Sequence, residues 1–228
     1  MTDSRSITAE GHYISPGPQV EPPSIEGLPR YERKKIQTRE RIYRAALKLF
    51  AEKGLAATTV DEIVAVADVA KGTFFNYFHT KEEIFAFFIE IQLAKVAGAV
   101  EEARKGERPI RDVLRRAFEG LGAEVGASPN LARALVAAIL SNDAACKEVS
   151  NGMAEGRRML GEILSLGQQR GQIRSDRTIR AMGLAFQQAL FGAVVLWGIR
   201  PQGKLTAGLN AAFTDYWTCI EGRKGKLK

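Results

Sequence analysis

The chain has 228 residues, 45% hydrophobic and 26% charged, with a formal net charge of +7, a balance that excludes a disordered or fibrous chain and allows one large domain or two smaller ones. A pI near 9.5 favours a polyanionic partner. Two cysteines, Cys146 and Cys219, are too few for a disulfide framework and lack metal-ligand spacing; they read as packed free thiols in a reducing compartment. Residues 1–30, rich in proline and glycine and net acidic, read as an extended or disordered leader. They lack the basic-then-apolar pattern of a secretory signal, and the longest strongly apolar stretch, Ala189 to Trp197, is too short to span a bilayer. A cytoplasmic location with no membrane partner is therefore expected.

From Tyr31 the pattern becomes helical. Ile42, Ala45, Ala46, Leu49 and Phe50 recur at spacings of three and four on one face of a helix that runs to about Lys53, and Gly54 suits the left-handed position that ends it. Thr59 and Glu62 have the spacing of a capping box for a short second helix ending by Ala67. Asp68 to Gly72 form a tight turn into a third helix, where Phe74 and Phe78 point inward together. Thr80 and Glu83 are spaced to cap a fourth helix reaching about Lys105. Breaks beyond it leave helices over roughly 109–126, 129–141, 143–170, 176–199 and 203–221. Alternating strand patterns are essentially absent, so the class is all-α: a helix-turn-helix domain over 31–80 joined to a larger helical domain over 81–228.

Charge is concentrated in the first of these domains. Between Arg30 and Lys81 there are 11 Lys and Arg against 6 Asp and Glu. A helix entering the major groove presents short polar and flat side chains at its N-terminal half, and Gly72 and Thr73 stand there. Lys71, Asn76, Tyr77, His79 and Lys81 surround them as donors to phosphate oxygens. Lys81 with the start of the fourth helix, and Thr59 at the start of the second, add anion sites.

The run Arg39-Glu40-Arg41-Ile42 through Leu49-Phe50, then Glu52-Lys53-Gly54, Thr58-Thr59-Val60-Asp61-Glu62-Ile63, Ala70-Lys71-Gly72-Thr73-Phe74-Phe75-Asn76-Tyr77-Phe78 and Lys81-Glu82 resembles the DNA-binding domain of the TetR family over residues 36–84. The resemblance implies a homodimeric regulator, usually a repressor released from operator DNA by a small molecule. It implies DNA contacts at Thr59, Lys71, Thr73, Phe75, Tyr77 and Lys81, with Gly72 permitting close approach. Two positions depart from the family's habit: Phe75 is commonly tyrosine there, and Tyr77 often histidine. Loss of the hydroxyl at Phe75 leaves an apolar ring; Tyr77 keeps a donor.

The resemblance further implies an effector cavity in the body and a dimer through the last two long helices. Pocket candidates are Phe87, Phe88, Phe118, Met153, Met159, Phe186, Gln187 and Phe191, since aromatic and methionine side chains shape apolar cavities as readily as they fill cores. Arg133, Asn142, Gln187 and Gln188 are candidate polar anchors for a small, largely apolar effector. Dimer candidates are Phe186, Leu190, Val194, Trp197, Leu209, Phe213 and Trp217. No catalytic residue, metal or cofactor is assigned: the two histidines are His12 in the leader and His79 beside the recognition helix, and no metal-ligand set, phosphate-binding glycine loop or nucleophile elbow is present. The alternatives are an effector-blind architectural DNA-binding protein and an activator or corepressor-dependent regulator.

Overall fold

A computed structural model describes residue 27 and residues 29–222, so the leader expected over 1–30 lies almost wholly outside the described residues. Nine helices are formed among them. The first, α1 (Arg30–Ala57), buries Ile42, Ala45, Ala46, Leu49 and Phe50, the face its spacing predicts. Gly54 interrupts it with φ 81° and ψ 167°. That is the extended positive-φ region accessible almost only to glycine, rather than the left-handed turn expected.

Helices α2 (Val60–Ala67) and α3 (Lys71–Phe75) follow. Thr59 caps α2 as predicted: its hydroxyl accepts from the Glu62 N–H at 3.3 Å, and the Glu62 carboxylate accepts from the Thr59 N–H at 2.9 Å. Asp68 ends α2 in the left-handed region, φ 52° and ψ 56°, a conformation short polar residues tolerate. Phe74 and Phe78 are 0% and 1% exposed and hold α3 on the core.

Helix α4 (Glu83–Lys105) closes with Arg104 and Lys105 in its last turn and Gly106 at φ 74° beyond it, each favourable at a helix C-terminus. Its start differs from expectation. Thr80 makes no cap, and the Glu83 carboxylate instead accepts from the His79 N–H at 2.8 Å. Then come α5 (Ile110–Ala123), a short 3-10 turn at Val125–Ala127, α6 (Pro129–Ser141), α7 (Asp143–Gln169), α8 (Ile179–Ile199) and α9 (Leu205–Ile220). Ser128, Asn142 and Thr178 cap α6, α7 and α8 through their side-chain oxygens. An isolated antiparallel bridge between Ile173 and Glu221 ties the loop after α7 to the end of α9.

The buried side chains form two clusters. The upper one joins α1–α3 and the start of α4 to Leu131 and Leu135 of α6 and Val149 of α7. The reading unit therefore shares a core with the body instead of hanging on a linker. The lower cluster is aromatic: Phe118 meets Phe186 edge-on at 5.0 Å, Phe213 lies 5.7 Å from Phe118, and Tyr216 and Trp217 pack on Phe213.

Helix α8 is long and apolar enough, by length and composition, to cross a bilayer, which the nine-residue stretch singled out in the sequence did not show. Met182, Gly183, Phe186 and Gly198 are buried inside the bundle. Leu184, Phe191, Leu196 and Ile199 stay exposed.

Candidate nucleic-acid interface

Inward anchoring of Phe74 and Phe78 turns the opposite side of the α3 segment to solvent. Gly72, Phe75, Asn76 and His79 stand exposed at spacings of three, four and seven, with Lys71 beside them. Thr73 and Tyr77 are half-buried on its flanks. A Cβ built on Gly72 meets nothing within 4 Å, so the fold itself does not require glycine here. The Phe75 ring is 43% exposed and leans edge-on against Phe74 at 5.4 Å. It offers an apolar edge of the kind that meets a thymine methyl or a sugar.

Electrostatics at the rim follow from the caps. Glu62 also receives the Lys53 ammonium, and that contact, together with the Thr59 donors, holds its carboxyl down at about 2. Lys71 pairs with Asp61 at 2.7 Å, both exposed. Such a surface pair is weakly held, so Lys71 can exchange Asp61 for a phosphate at small cost.

Lys81 departs furthest from its expected role. Its ammonium donates to the carbonyls of Leu55 at 2.8 Å, Ala56 at 3.2 Å and Thr58 at 2.8 Å. An ammonium has three protons and no more, so all three close the broken end of α1 and none is left over for phosphate. The anion site expected at the start of α4 is likewise altered, since Glu82 and Glu83 bring negative charge there. Replacing Lys81 with methionine keeps the stem and strands three carbonyls. The expected loss is about 1.5–3 kcal/mol of stability, the scale of bonds to a charged donor, read as a lowered unfolding midpoint. A variant as stable as the wild type, with the salt slope of DNA binding lower by about 1, would restore the phosphate role.

The unit is tied to the body by contacts that sequence reasoning did not find. Arg39 forms a two-pronged pair with Glu90 of α4, at 2.8 and 3.2 Å, and lies 4.0 Å over the Phe87 ring. Below it the Glu124 carboxylate accepts from Gln92 at 2.7 Å and from the Tyr43 hydroxyl at 3.5 Å, with the Lys95 ammonium 3.6 Å away. Burial pushes the Tyr43 phenol well above its usual range and pulls Lys95 down, against the opposing pull of Glu124.

Several candidates in the body change role. Phe118 and Phe186, 0% and 2% exposed, pack on each other's rings and do not line a space. Phe87, Phe88 and Met153 pack on the upper cluster and Met159 on the lower, so the pocket candidates do not converge on one place. Phe191 faces outward, 39% exposed. Gln187 spends its amide on the Met153 carbonyl and on Arg157, Arg133 donates to the Gly198 carbonyl, and Asn142 caps α7. Of the anchors, Gln188 is left exposed. Phe186, Leu209, Phe213 and Trp217, expected at the dimer contact, are at most 5% exposed within one chain. Leu190 and Val194 are half-buried, and the Trp197 indole donates to the Gly203 carbonyl at 3.1 Å.

A three-helix unit that continues through the 23-residue α4 into a helical body has the architecture of a helix-turn-helix DNA-binding domain joined to a larger helical domain. Residues 42–86 match the model of bacterial regulatory proteins of the tetR family. The HTH-type transcriptional regulator YerO of Bacillus subtilis is 33% identical over 84 residues, 35% of this chain and 28% of that protein. This chain thus spans little more than a quarter of that relative's length. The transcriptional regulator AcuR of Cereibacter sphaeroides is 26% identical over 76% of this chain and 84% of its own. Among solved structures, FadR of Thermus thermophilus, a TetR-family transcriptional repressor in complex with lauroyl-CoA, superposes with a TM-score of 0.56 at 26% identity, covering 83% of this chain and 98% of that one. Residues 42–86 are thus similar to the N-terminal domain of tetR-family regulatory proteins, and the chain as a whole shares the fold of the Thermus thermophilus repressor.

Proposed function

We propose that the protein is a cytoplasmic, homodimeric regulator that binds double-stranded operator DNA and leaves it when a small, largely apolar effector enters the helical body, so that it acts as a repressor. The observation that carries the DNA reading is the exposed face built on Gly72. The fold leaves room for a side chain there, and its absence serves a partner outside the chain. Gly72 and Thr73 approach base edges, Lys71, Asn76, Tyr77 and His79 with Thr59 hold phosphates, and Phe75 makes apolar contact. Lys81 is assigned the positioning of α4 against α1.

Two features support an effector in the body. The Tyr216 hydroxyl and Trp217 indole N–H are buried in the lower cluster without hydrogen-bond partners, an arrangement that costs free energy until an oxygen meets them. The lauroyl-CoA held by the Thermus thermophilus FadR repressor favours an amphipathic effector with an acyl chain. Release is routed through Glu124, because the same carboxylate touches Tyr43 of the reading unit and Gln92 of α4. A ligand that shifts α4 must break or move that contact.

Selection of bound duplexes from a random library, repeated with lauroyl-CoA, tests the reading. A palindromic sequence with half-sites about 34–36 Å apart, depleted when the acyl-CoA is added, is expected. Equal recovery of all sequences would leave an architectural DNA-binding protein; enrichment on adding ligand would make it corepressor-dependent.

A further inference from the structure

The reading unit carries cations that the recognition surface does not use. Along α1, Arg30, Arg33, Lys34, Arg41, Arg44 and Lys48 are all exposed, and their spacings of three, four and seven place them on one side of the helix. The stripe runs opposite to the buried face of Ile42, Ala46 and Phe50 and extends over roughly 27 Å at 1.5 Å per residue. Between Arg30 and Lys48 it has one carboxylate at its edge, Glu40, which pairs with Arg44 at 2.5 Å. Among the described residues, none of the other five has an ion-pair partner. The body behaves differently: Arg104, Arg115 and Arg158 each sit against two carboxylates. These three body arginines are neutralised locally, whereas five of the six cations of the α1 stripe are not.

The beginning of the stripe has no packing role. Residues 30–37 are exposed without exception, two helical turns that project past the first buried residue, Thr38. They lead away from Arg39, whose guanidinium lies 5.7 Å from the ring of Phe78 at the end of the recognition segment. An open groove lined by Lys34, Gln37, Thr38, Glu40, Arg41 and Arg44 runs beside them.

The geometry points to a second, sequence-independent DNA contact: the α1 stripe grips phosphates of the duplex flanking the operator. This rests on the DNA-binding reading above and extends it from the half-site to its surroundings. A double helix carries one negative charge per about 1.7 Å of axis, so a stripe of this length matches the backbone of some eight base pairs. Arginine and lysine on a solvent-facing helix supply charge without base readout, so the contact adds affinity and leaves sequence preference alone.

The test compares the full-length protein with a triple variant, Arg30→Gln, Arg33→Gln and Lys34→Gln, chosen from the two unpacked turns so that the fold is spared. Three duplexes are titrated over a range of salt: a minimal operator, the operator with about 20 flanking base pairs on each side, and a random duplex of the longer length. Expected is a salt slope reduced by roughly 2–3, near 0.9 per lost phosphate contact, on both long duplexes, with the minimal operator and the ranking of operator variants unchanged. Arg30→Lys with Arg33→Lys should keep the wild-type slope. An unchanged slope on the long duplexes overturns the proposal, and so does an equal loss on the minimal operator, which would place these residues over the half-site. A wild type that does not discriminate operator from random duplex would instead defeat the operator reading, while the slope on random duplex still decides the stripe.

Discussion

Gly72→Val is expected to abolish operator binding while the fold stands. The second residue of α3 has open space where a Cβ would be, and its backbone is helical, so valine meets no clash within the chain. Intrinsic helix preference shifts by about 0.5 kcal/mol in valine's favour, and the unfolding midpoint should hold or rise slightly. The effect falls on the partner. An isopropyl group between the α3 backbone and a base pair lifts the Gly72 backbone and the Thr73 side chain away from the base edges, and hydrogen bonds weaken steeply with length. Losing them together should cost at least about 100-fold in operator affinity, near 2.7 kcal/mol, while binding to random duplex, carried by phosphates, changes much less. Titration at one fixed salt concentration beside a thermal melt separates the outcomes. Affinity within threefold of wild type would move the DNA away from this face, and a lowered midpoint would make the glycine a folding requirement.

How much of this was legible in the chain depends on how local each signal is. The reading unit was legible because its instructions sit within a few residues of what they direct. The Thr59 and Glu62 box closes over three positions, Phe74 and Phe78 lie one turn apart, and Ser128 with Pro129 opens α6 at the predicted residue. Even there, Gly54 could be read as a stop without disclosing which positive-φ region it adopts. Lys81 was legible as a cation at the right place but not as a cap. The carbonyls it closes come from 23 to 26 residues earlier, and no spacing rule reaches that far.

The body shows the same limit more fully. Periodicity placed its helices but did not orient them, because α8 is apolar nearly all round and its pattern marks no inner side. Phe186 and Phe191 could therefore be exchanged between core, pocket and interface until packing separated them. The Glu124 contact joins residues 81 and 32 positions apart, and a lone glutamate near the end of a helix looks like any solvated one. The polar anchors failed for a related reason: asparagine, glutamine and arginine beside helix ends are more often consumed by backbone groups than kept for a ligand.

Placing glutamate at both Leu184 and Phe191 is expected to convert a dimer into a monomer and with it to remove operator binding. The two are seven residues apart on the outer side of α8, 45% and 39% exposed, with Gln188 between them and Ile199 further along, 69% exposed. A run of large apolar groups on one helix face marks an interaction surface, and the one charged residue of α8, Arg180, stands at its start, a turn before Leu184. Because both side chains are outside the core, the substitution spares the chain's own packing, which a change at Phe186 would not. A two-fold contact contains both glutamates from both copies, so four buried like charges replace four apolar groups. Mass in solution should fall from twice to once 25.0 kDa. A monomer grips one half-site and loses the tethering that makes the second encounter intramolecular, a factor of about 100 to 10,000, so operator affinity falls by that much although every residue of the α3 face is intact. Adding a fused coiled-coil dimeriser should return part of it. A variant that stays dimeric would move the contact off this face of α8, and a monomer that binds operator as tightly as the wild type would show that the two reading units do not need to be joined.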